Sequence, residues 1–250
     1  MATIVLFTDF GVGGPYVGQI KVTIDAMAPG TTVIDLMHDA PRFDPRASCY
    51  LLGALVHKFP WNAICIGIID PGVGGKRAGV ILAADGRFFI GPENGLFEMI
   101  RRRAKTSRLW VLPEDEKASP SFHGRDIFAP AAARLASGRA PEEIGARNAR
   151  IGELVLPDWP DDLPELIYFD HYGNAMTGLR ADTVSRTAEL KIRTGTGEEM
   201  TCRFARTFSD VPPGTAFWYE NSNGLVEIAV NGGSARDHLE LVLGSSLEIL

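Results

Sequence analysis

The 250-residue sequence predicts an α/β fold: an N-terminal, mainly parallel sheet flanked by helices, followed by a smaller C-terminal antiparallel β-barrel or sandwich. Three observations carry this. Apolar strand-like runs alternate with amphipathic helical segments over the first 150 residues, the pattern of a parallel sheet covered by helices. A proline- and acid-rich stretch, LPDWPDDLP, then interrupts the chain. Beyond it the segments read as strands, with no long helical period after residue 165. The expected division is 1–150 for the α/β domain, 151–164 for a linker and 165–250 for the β-rich domain.

Each element has a local reason. TIVLFTDF (3–10) is a buried-strand run. Pro15 suits a first helical turn, and YVGQIKVTIDAMA continues until Gly30 stops it. TTVIDLMH (31–38) is the second strand. The segment 44–59 places Ala47, Tyr50, Leu51, Ala54 and Leu55 on one helical face. NAICIGIID (62–70) is the third strand, and GVILAAD with RFFIG forms a hairpin around Asp85-Gly86. GLFEMIRRRAK is a helix, SRLWVLP a strand, and a last helix runs from about Pro130 to Ser137 before Gly138. In the second part, TAELKIRT and EMTCRFAR flank a Gly-Thr-Gly turn, and two further strands surround Asn-Ser-Asn-Gly.

Bulk properties narrow the function. The net charge of -6 argues against a nucleic-acid binder, which shows a basic patch or stripe. The one dense basic run, Arg101-Arg102-Arg103, reads as a solvated helix face and helix C-terminal charge. No apolar stretch approaches the roughly 18 residues of a membrane span, and MATIVLF lacks the basic start of a signal peptide. Cys49, Cys65 and Cys202 are far apart and lie in apolar contexts, as expected for buried free thiols in a reducing compartment. The protein is expected in the cytoplasm, with no membrane or nucleic-acid partner.

The stretch IIDPGVGGKR (68–77) resembles a strand feeding a phosphate-binding loop. It fails that test. Aligning Gly75-Lys76 with the G-K of a Walker A loop puts Asp70 at the first glycine and Arg77 at the magnesium-binding hydroxyl. A carboxylate at that mouth repels phosphate. In open α/β sheets ligands bind at the carboxyl ends of the strands. Asp9, His38-Asp39 and Asp70 all stand at such ends, and Asp9 and Asp70 are placed to face one crevice. For each acid alone, a turn or helix cap is the more ordinary role. Of the five histidines none has metal-ligand spacing, so no metal site is expected. His123 lies in SFHGRDIFAP, beside Gly124 and just before a helix. No serine elbow or placed cysteine supports covalent acyl chemistry.

Together these motifs resemble the S-adenosyl-L-methionine (SAM) hydroxide adenosyltransferases, relatives of the SAM-dependent chlorinases and fluorinases. The resemblance rests on TDFG (8–11), YVGQIK (16–21), IDPGVGGKR (69–77), FIGPENGLF (89–97), FHGRDIFAPAAARLASG (122–138), FDHYGN (169–174) and NSNGLVEIA (221–229). It implies attack of water or hydroxide on the ribose 5′ carbon of SAM, giving adenosine and L-methionine, with SAM as substrate and no cofactor. The family trio of Asp, Arg and His falls on Asp70, Arg77 and His123. A carboxylate beside a guanidinium orients water well, so His123 is the expected proton acceptor. Asp9 matches the ribose-binding acid and Phe43 an aromatic beside the nucleoside. Asp170 matches the acid on the methionine ammonium, Asn174 an asparagine on adenine, and Ser222 a serine near the methionine carboxylate. The resemblance further implies that Tyr172 and Phe208 wall the nucleoside pocket. The resemblance also implies a homotrimer with sites between subunits.

Halogenating relatives carry a serine in place of Gly124 and an aromatic in place of Asp70. A carboxylate there repels halide, so the chain is expected in the hydroxide branch. The readings set against it are a SAM-dependent halogenase, a non-catalytic SAM or adenosine sensor, and a different, metal-dependent hydrolase.

Overall fold

The computed structural model describes residues 2–150 and 157–250. The chain divides into two compact units, Met1–Asp158 and Trp159–Leu250.

The first unit is built on a seven-stranded sheet. Its strands are β1 (Ile4–Thr8), β2 (Val33–Met37), β3 (Ile64–Ile68), β4 (Gly79–Ala84), β5 (Arg87–Pro92), β6 (Ser107–Val111) and β7 (Arg147–Ala149), in the order β2-β1-β3-β5-β4-β6-β7. β1 pairs in parallel with β2 and β3, and β3 with β5. The remaining pairs, β4/β5, β4/β6 and β6/β7, are antiparallel. The sheet is therefore mixed, not mainly parallel. The cause is the β4–β5 hairpin, where Asp85 and Gly86 both take positive φ (45° and 78°) and turn the chain straight back. β6 then returns beside β4. β7 escapes a sequence reading because it is three residues long with two exposed polar side chains.

Helices α1 (Tyr16–Met27), α2 (Pro45–Leu55), α3 (Glu98–Arg103) and α4 (Ala129–Ala136) accompany this sheet. Asp44 caps α2 by accepting from Ala47 N at 2.9 Å, and a 3₁₀ turn at Val56–Lys58 completes the expected helical stretch. α1 packs on α4 and α2 on α3. Ile20 and Ile24 of α1 join Ile4, Leu6, Ile64, Ile66 and Phe128 in one buried cluster. The strands that end at the candidate acids, β1 and β3, are thus anchored in the core of the unit.

Two details correct or explain the sequence. The arginine run is not a freely solvated face: Arg101 and Arg102 reach back to Glu98, which is buried, with contacts of 2.6–2.8 Å. Burial opposes ionisation of Glu98, and the two guanidiniums overcome it, holding the carboxyl below its usual range. The first glycine of the FIGPENGLF motif, Gly91, has no room for a side chain. A Cβ on Gly91 would stand 2.1 Å from the carbonyl oxygen of Gly67, so the β3–β5 contact requires a bare backbone.

The second unit holds β8 (Leu163–Phe169), β9 (Ala175–Arg180), β10 (Leu190–Arg193), β11 (Glu199–Phe204), β12 (Ala216–Glu220), β13 (Leu225–Val230) and β14 (Leu247–Ile249). Their order is β14-β10-β11-β12-β13-β9-β8. All pairs are antiparallel except β11/β12. A bridge between Glu165 and Ser246, with Leu166 N donating to Ser245 O at 2.9 Å, brings the two edges together into a nearly closed barrel. Trp218 lies at its centre and donates its indole N–H to Ala188 O at 3.0 Å. The short helix α5 (Ala235–His238) is capped by Ser234.

Of the expected linker, 151–156 lie outside the described residues. The part that follows leads into β8, with Asp162 gripping Arg180 through both carboxylate oxygens. Cys49, Cys65 and Cys202 are buried and free, and burial pushes the thiols of Cys49 and Cys202 up to about 12. Among the described residues no helix is long and apolar enough to cross a membrane.

Candidate active site

β3 ends at Ile68, and the loop that follows folds back on itself. Val73 N donates to Asp70 O at 3.3 Å and Gly75 N to Gly72 O at 3.0 Å. Gly74 has φ 76°, and a Cβ there would stand 2.5 Å from Pro120 O, so the turn lies close against a second loop. This double turn returns Arg77 to the strand end. Its Nε donates to Asp70 Oδ1 at 3.0 Å and its Nη2 to Oδ2, a bidentate fork. The Asp70 and Arg77 side chains are only 6% and 11% exposed, so water screens the pair little and removing either partner would leave a desolvated charge. The guanidinium also lies 5.5 Å from the Phe128 ring centroid.

The same Nη2 reaches His123 Nδ1 at 2.9 Å. His123 immediately precedes a π-helical turn, Gly124–Phe128, that runs into α4. One helical stretch thus fixes both His123 and Phe128, and wide turns of this kind recur at functional sites. Arginine has no lone pair to offer, so Nδ1 is the acceptor. In the neutral ring the proton then sits on Nε2. This arrangement differs from the expectation that His123 removes a proton from water: one nitrogen is occupied by Arg77 and the other already carries hydrogen. Burial, then the nearby Arg77 charge, hold the His123 pKa below its usual 6.5, with Asp70 and Asp126 opposing.

Asn94 was not singled out from the sequence. Its Nδ2 donates to Ile69 O at 2.8 Å and its Oδ1 accepts from Leu96 N at 3.3 Å, so it pins the peptide just before Asp70. The signal was the P-E-N-G turn after β5. Gly124 is buried, and a Cβ on it would meet Ile68 Cδ1 at 2.8 Å. A serine there requires Ile68 to move.

Asp9 leaves the same carboxyl edge from the adjacent strand: Thr8 is in register with Ile68, and Asp9 N donates to Ile68 O at 3.4 Å. Asp9 Oδ2 accepts from Phe43 N at 3.0 Å. Phe43 takes φ 58°, unusual for a residue with a Cβ, and its side chain is 70% exposed. The strained residue and the acid are thus tied together. Phe10, Tyr16 and Phe122 form a half-exposed aromatic cluster, with centroids 5.3–5.9 Å apart.

In the second unit, Asp170 Oδ1 accepts from Tyr172 N and Asn174 N, and Oδ2 from Asn174 Nδ2, all at 2.9 Å. Asp170, Tyr172, Asn174, Phe208 and Tyr219 line one open cavity of about 620 Å³. Phe208 stands edge-on to Phe217 and Tyr219, at 5.2 and 5.4 Å. Ser222 does not line this cavity; it is exposed in the β12–β13 turn, which Asn221 Oδ1 closes by accepting from Asn223 N and Leu225 N. Beneath the cavity Tyr219 donates to Glu227 Oε1 at 2.5 Å and Asn221 Nδ2 to Oε2 at 2.7 Å. Glu227 is 2% exposed, and burial pushes its carboxyl up against the pull of those two bonds. Burial and the Glu227 contact likewise raise the Tyr219 phenol. The sequence hides this trio because Tyr219 and Glu227 lie in ordinary strands and Asn221 reads as a turn residue between them.

A strand-end acid, a guanidinium and a histidine in one hydrogen-bonded group, in a chain that also carries an aromatic-walled β unit, form the site of a two-unit α/β protein whose class the family models supply. The chain belongs to the SAM hydroxide adenosyltransferase family: the N-terminal domain model matches residues 4–145 and the C-terminal domain model residues 164–248. It is 38% identical, over the full length of both chains, to a protein of Thermus thermophilus named (R)-S-adenosyl-L-methionine hydrolase. A protein of the same name from Salinispora arenicola is 34% identical, with 97% of this chain and 95% of that one covered. A fluorinase from Nocardia brasiliensis is 24% identical. Among solved structures, an uncharacterized conserved protein from Thermotoga maritima superposes with a TM-score of 0.87 at 28% identity, covering 99% of each chain.

Proposed function

We propose that this chain hydrolyses SAM to adenosine and L-methionine by attack of water on the ribose 5′ carbon. The observation that carries the reading is the half-buried Asp70–Arg77–His123 group in a full-length relative of named SAM hydrolases. The sulfonium is already cationic, so the C5′–S bond breaks with its electron pair on sulfur and methionine departs as a neutral thioether. No acid and no cofactor is needed. Water forms the new C5′–O bond and loses one proton. Asp70, whose oxygens keep lone pairs beyond the two that Arg77 fills, orients the water and accepts that proton. Arg77 holds the carboxylate in place, and His123 Nδ1 holds the guanidinium in turn. The contribution of the protein is alignment of oxygen, carbon and sulfur, with a fixed charge beside the nucleophile. That charge repels a halide ion in the same position.

Asp9 accepts from both ribose hydroxyls and Phe43 flanks the nucleoside. Asn174 reads adenine, Phe208 and Tyr172 wall it, Asp170 takes the methionine ammonium and Ser222 its carboxylate. The two sets of residues meet between subunits of a homotrimer, each site taking one set from each of two neighbours. The relatives' names specify the R sulfonium, and we extend that preference to this chain. A cytoplasmic setting suits the three buried free thiols.

Separation by mass, followed by assay of each fraction with each sulfonium epimer, tests these statements together. Adenosine and methionine are expected in equal amounts, fastest from the R form, in fractions of trimer mass. An active monomer contradicts the assembly, equal rates contradict the epimer preference, and no products in any fraction contradicts the hydrolysis.

A further inference from the structure

One buried histidine grips the segment that presents Asp9. His38 follows β2 and is 6% exposed. Its carbonyl accepts from Gly11 N at 2.6 Å, and its Nδ1 meets Thr8 Oγ1 at 2.9 Å. Its Nε2 lies 3.0 Å from Asp35 Oδ1, and Lys21 Nζ lies 2.5 Å from the other oxygen of that carboxylate. Thr8 Oγ1 accepts from Phe10 N at 3.3 Å, and Thr8 O accepts from Ala40 N at 3.2 Å.

These bonds have one consistent direction. With the Thr8 oxygen accepting from Phe10 N, its hydroxyl hydrogen is free to donate to Nδ1. The ring hydrogen then sits on Nε2, which lies close to the Asp35 carboxylate without a well-directed hydrogen bond to it, and Lys21 neutralises that carboxylate. A chain of polar groups thus runs from the surface to the residue directly before Asp9. The segment Thr8–Gly11 is held on both sides of Asp9, through Thr8 and through Gly11, by the same histidine.

We infer that His38 is a positioning residue for Asp9: through Thr8 and Gly11 it sets the direction in which the Asp9 carboxylate faces the substrate. This rests on the reading of Asp9 as the ribose contact. The predicted consequence is a defect in binding rather than in the chemical step, because Asp70, Arg77 and His123 are fixed by other elements.

The test is steady-state kinetics with SAM on His38→Ala, His38→Asn, Thr8→Val and, as control, Asp9→Ala, with thermal melts of each. Asp9→Ala raises KM. His38→Ala and Thr8→Val raise KM about tenfold, the worth of one hydrogen bond, with kcat within about twofold of the parent. His38→Asn, whose amide oxygen lies where Nδ1 was, recovers most of the loss, as a packing role would not require. If Asp9→Ala raises KM while Thr8→Val and His38→Ala do not, or if kcat falls instead, the inference is wrong and the reading of Asp9 stands. If Asp9→Ala leaves KM unchanged, the ribose reading falls and the inference with it. Thr8→Val keeps shape and burial, so it decides the matter even if His38→Ala does not fold.

Discussion

Asp70→Asn lowers kcat for SAM hydrolysis by on the order of 10²- to 10³-fold, with a much smaller change in KM. The substitution is nearly isosteric, so the effect is chemical. Arg77 presents two N–H groups to two carboxylate oxygens. An asparagine offers one oxygen and turns an NH₂ toward the other donor, so the fork opens. The guanidinium then loses its fixed place, and the water loses both its orienting charge and its proton acceptor. Asp70 lies off the end of a strand buried along its length, so the fold tolerates the change. A kcat within threefold of the parent would remove Asp70 from the chemistry and leave the loop a structural clasp.

His123 separates two mechanisms that share a pH profile. If the neutral ring matters only because Nδ1 accepts from Arg77, an asparagine serves in its place. His123→Asn is then expected to keep kcat within about fivefold, and His123→Ala to lose on the order of 10²-fold. The sign of the pH dependence follows from the direction of the shift. The His123 pKa is held below 6.5, by burial first and by Arg77 second. The competent neutral form is complete above that value and is lost as pH falls through it, when Nδ1 gains a proton and can no longer accept. The parent therefore shows an acid limb with its inflection below pH 6.5, and His123→Asn shows none from this group. A His123→Asn variant as impaired as His123→Ala would restore the histidine as the proton carrier.

Much of the architecture was legible because it follows from periodicity. The buried runs IVLFT and ICIGI, the capped helix after Asp44 and the Asp85-Gly86 reversal each announce themselves locally. The same hairpin that was legible also spoiled the expected parallel sheet, because strand direction is decided by what lies beside β4, and periodicity carries no such information. The strand-end acids were visible as positions. The convergence of Asp70 with Arg77 and His123 became visible only through several motifs in order, since residues 46 apart have no local signal of contact. What remained hidden is of one kind. Asn94, the Tyr219–Glu227–Asn221 trio and the direction of the Arg77–His123 bond all depend on which atom donates and which accepts. Sequence names the groups and leaves their pairing to the fold. His38 belongs with them: it was noted at a strand end, and only its contacts give it work.

The central claim is that water attacks the 5′ carbon of SAM, and the position of one oxygen atom tests it. Turnover of SAM in heavy-oxygen water, with both products weighed, is the measurement. The account predicts one heavy oxygen in the 5′-hydroxyl of adenosine and none gained by the methionine released. Label in any other position, or a 5′-hydroxyl without label, would contradict it.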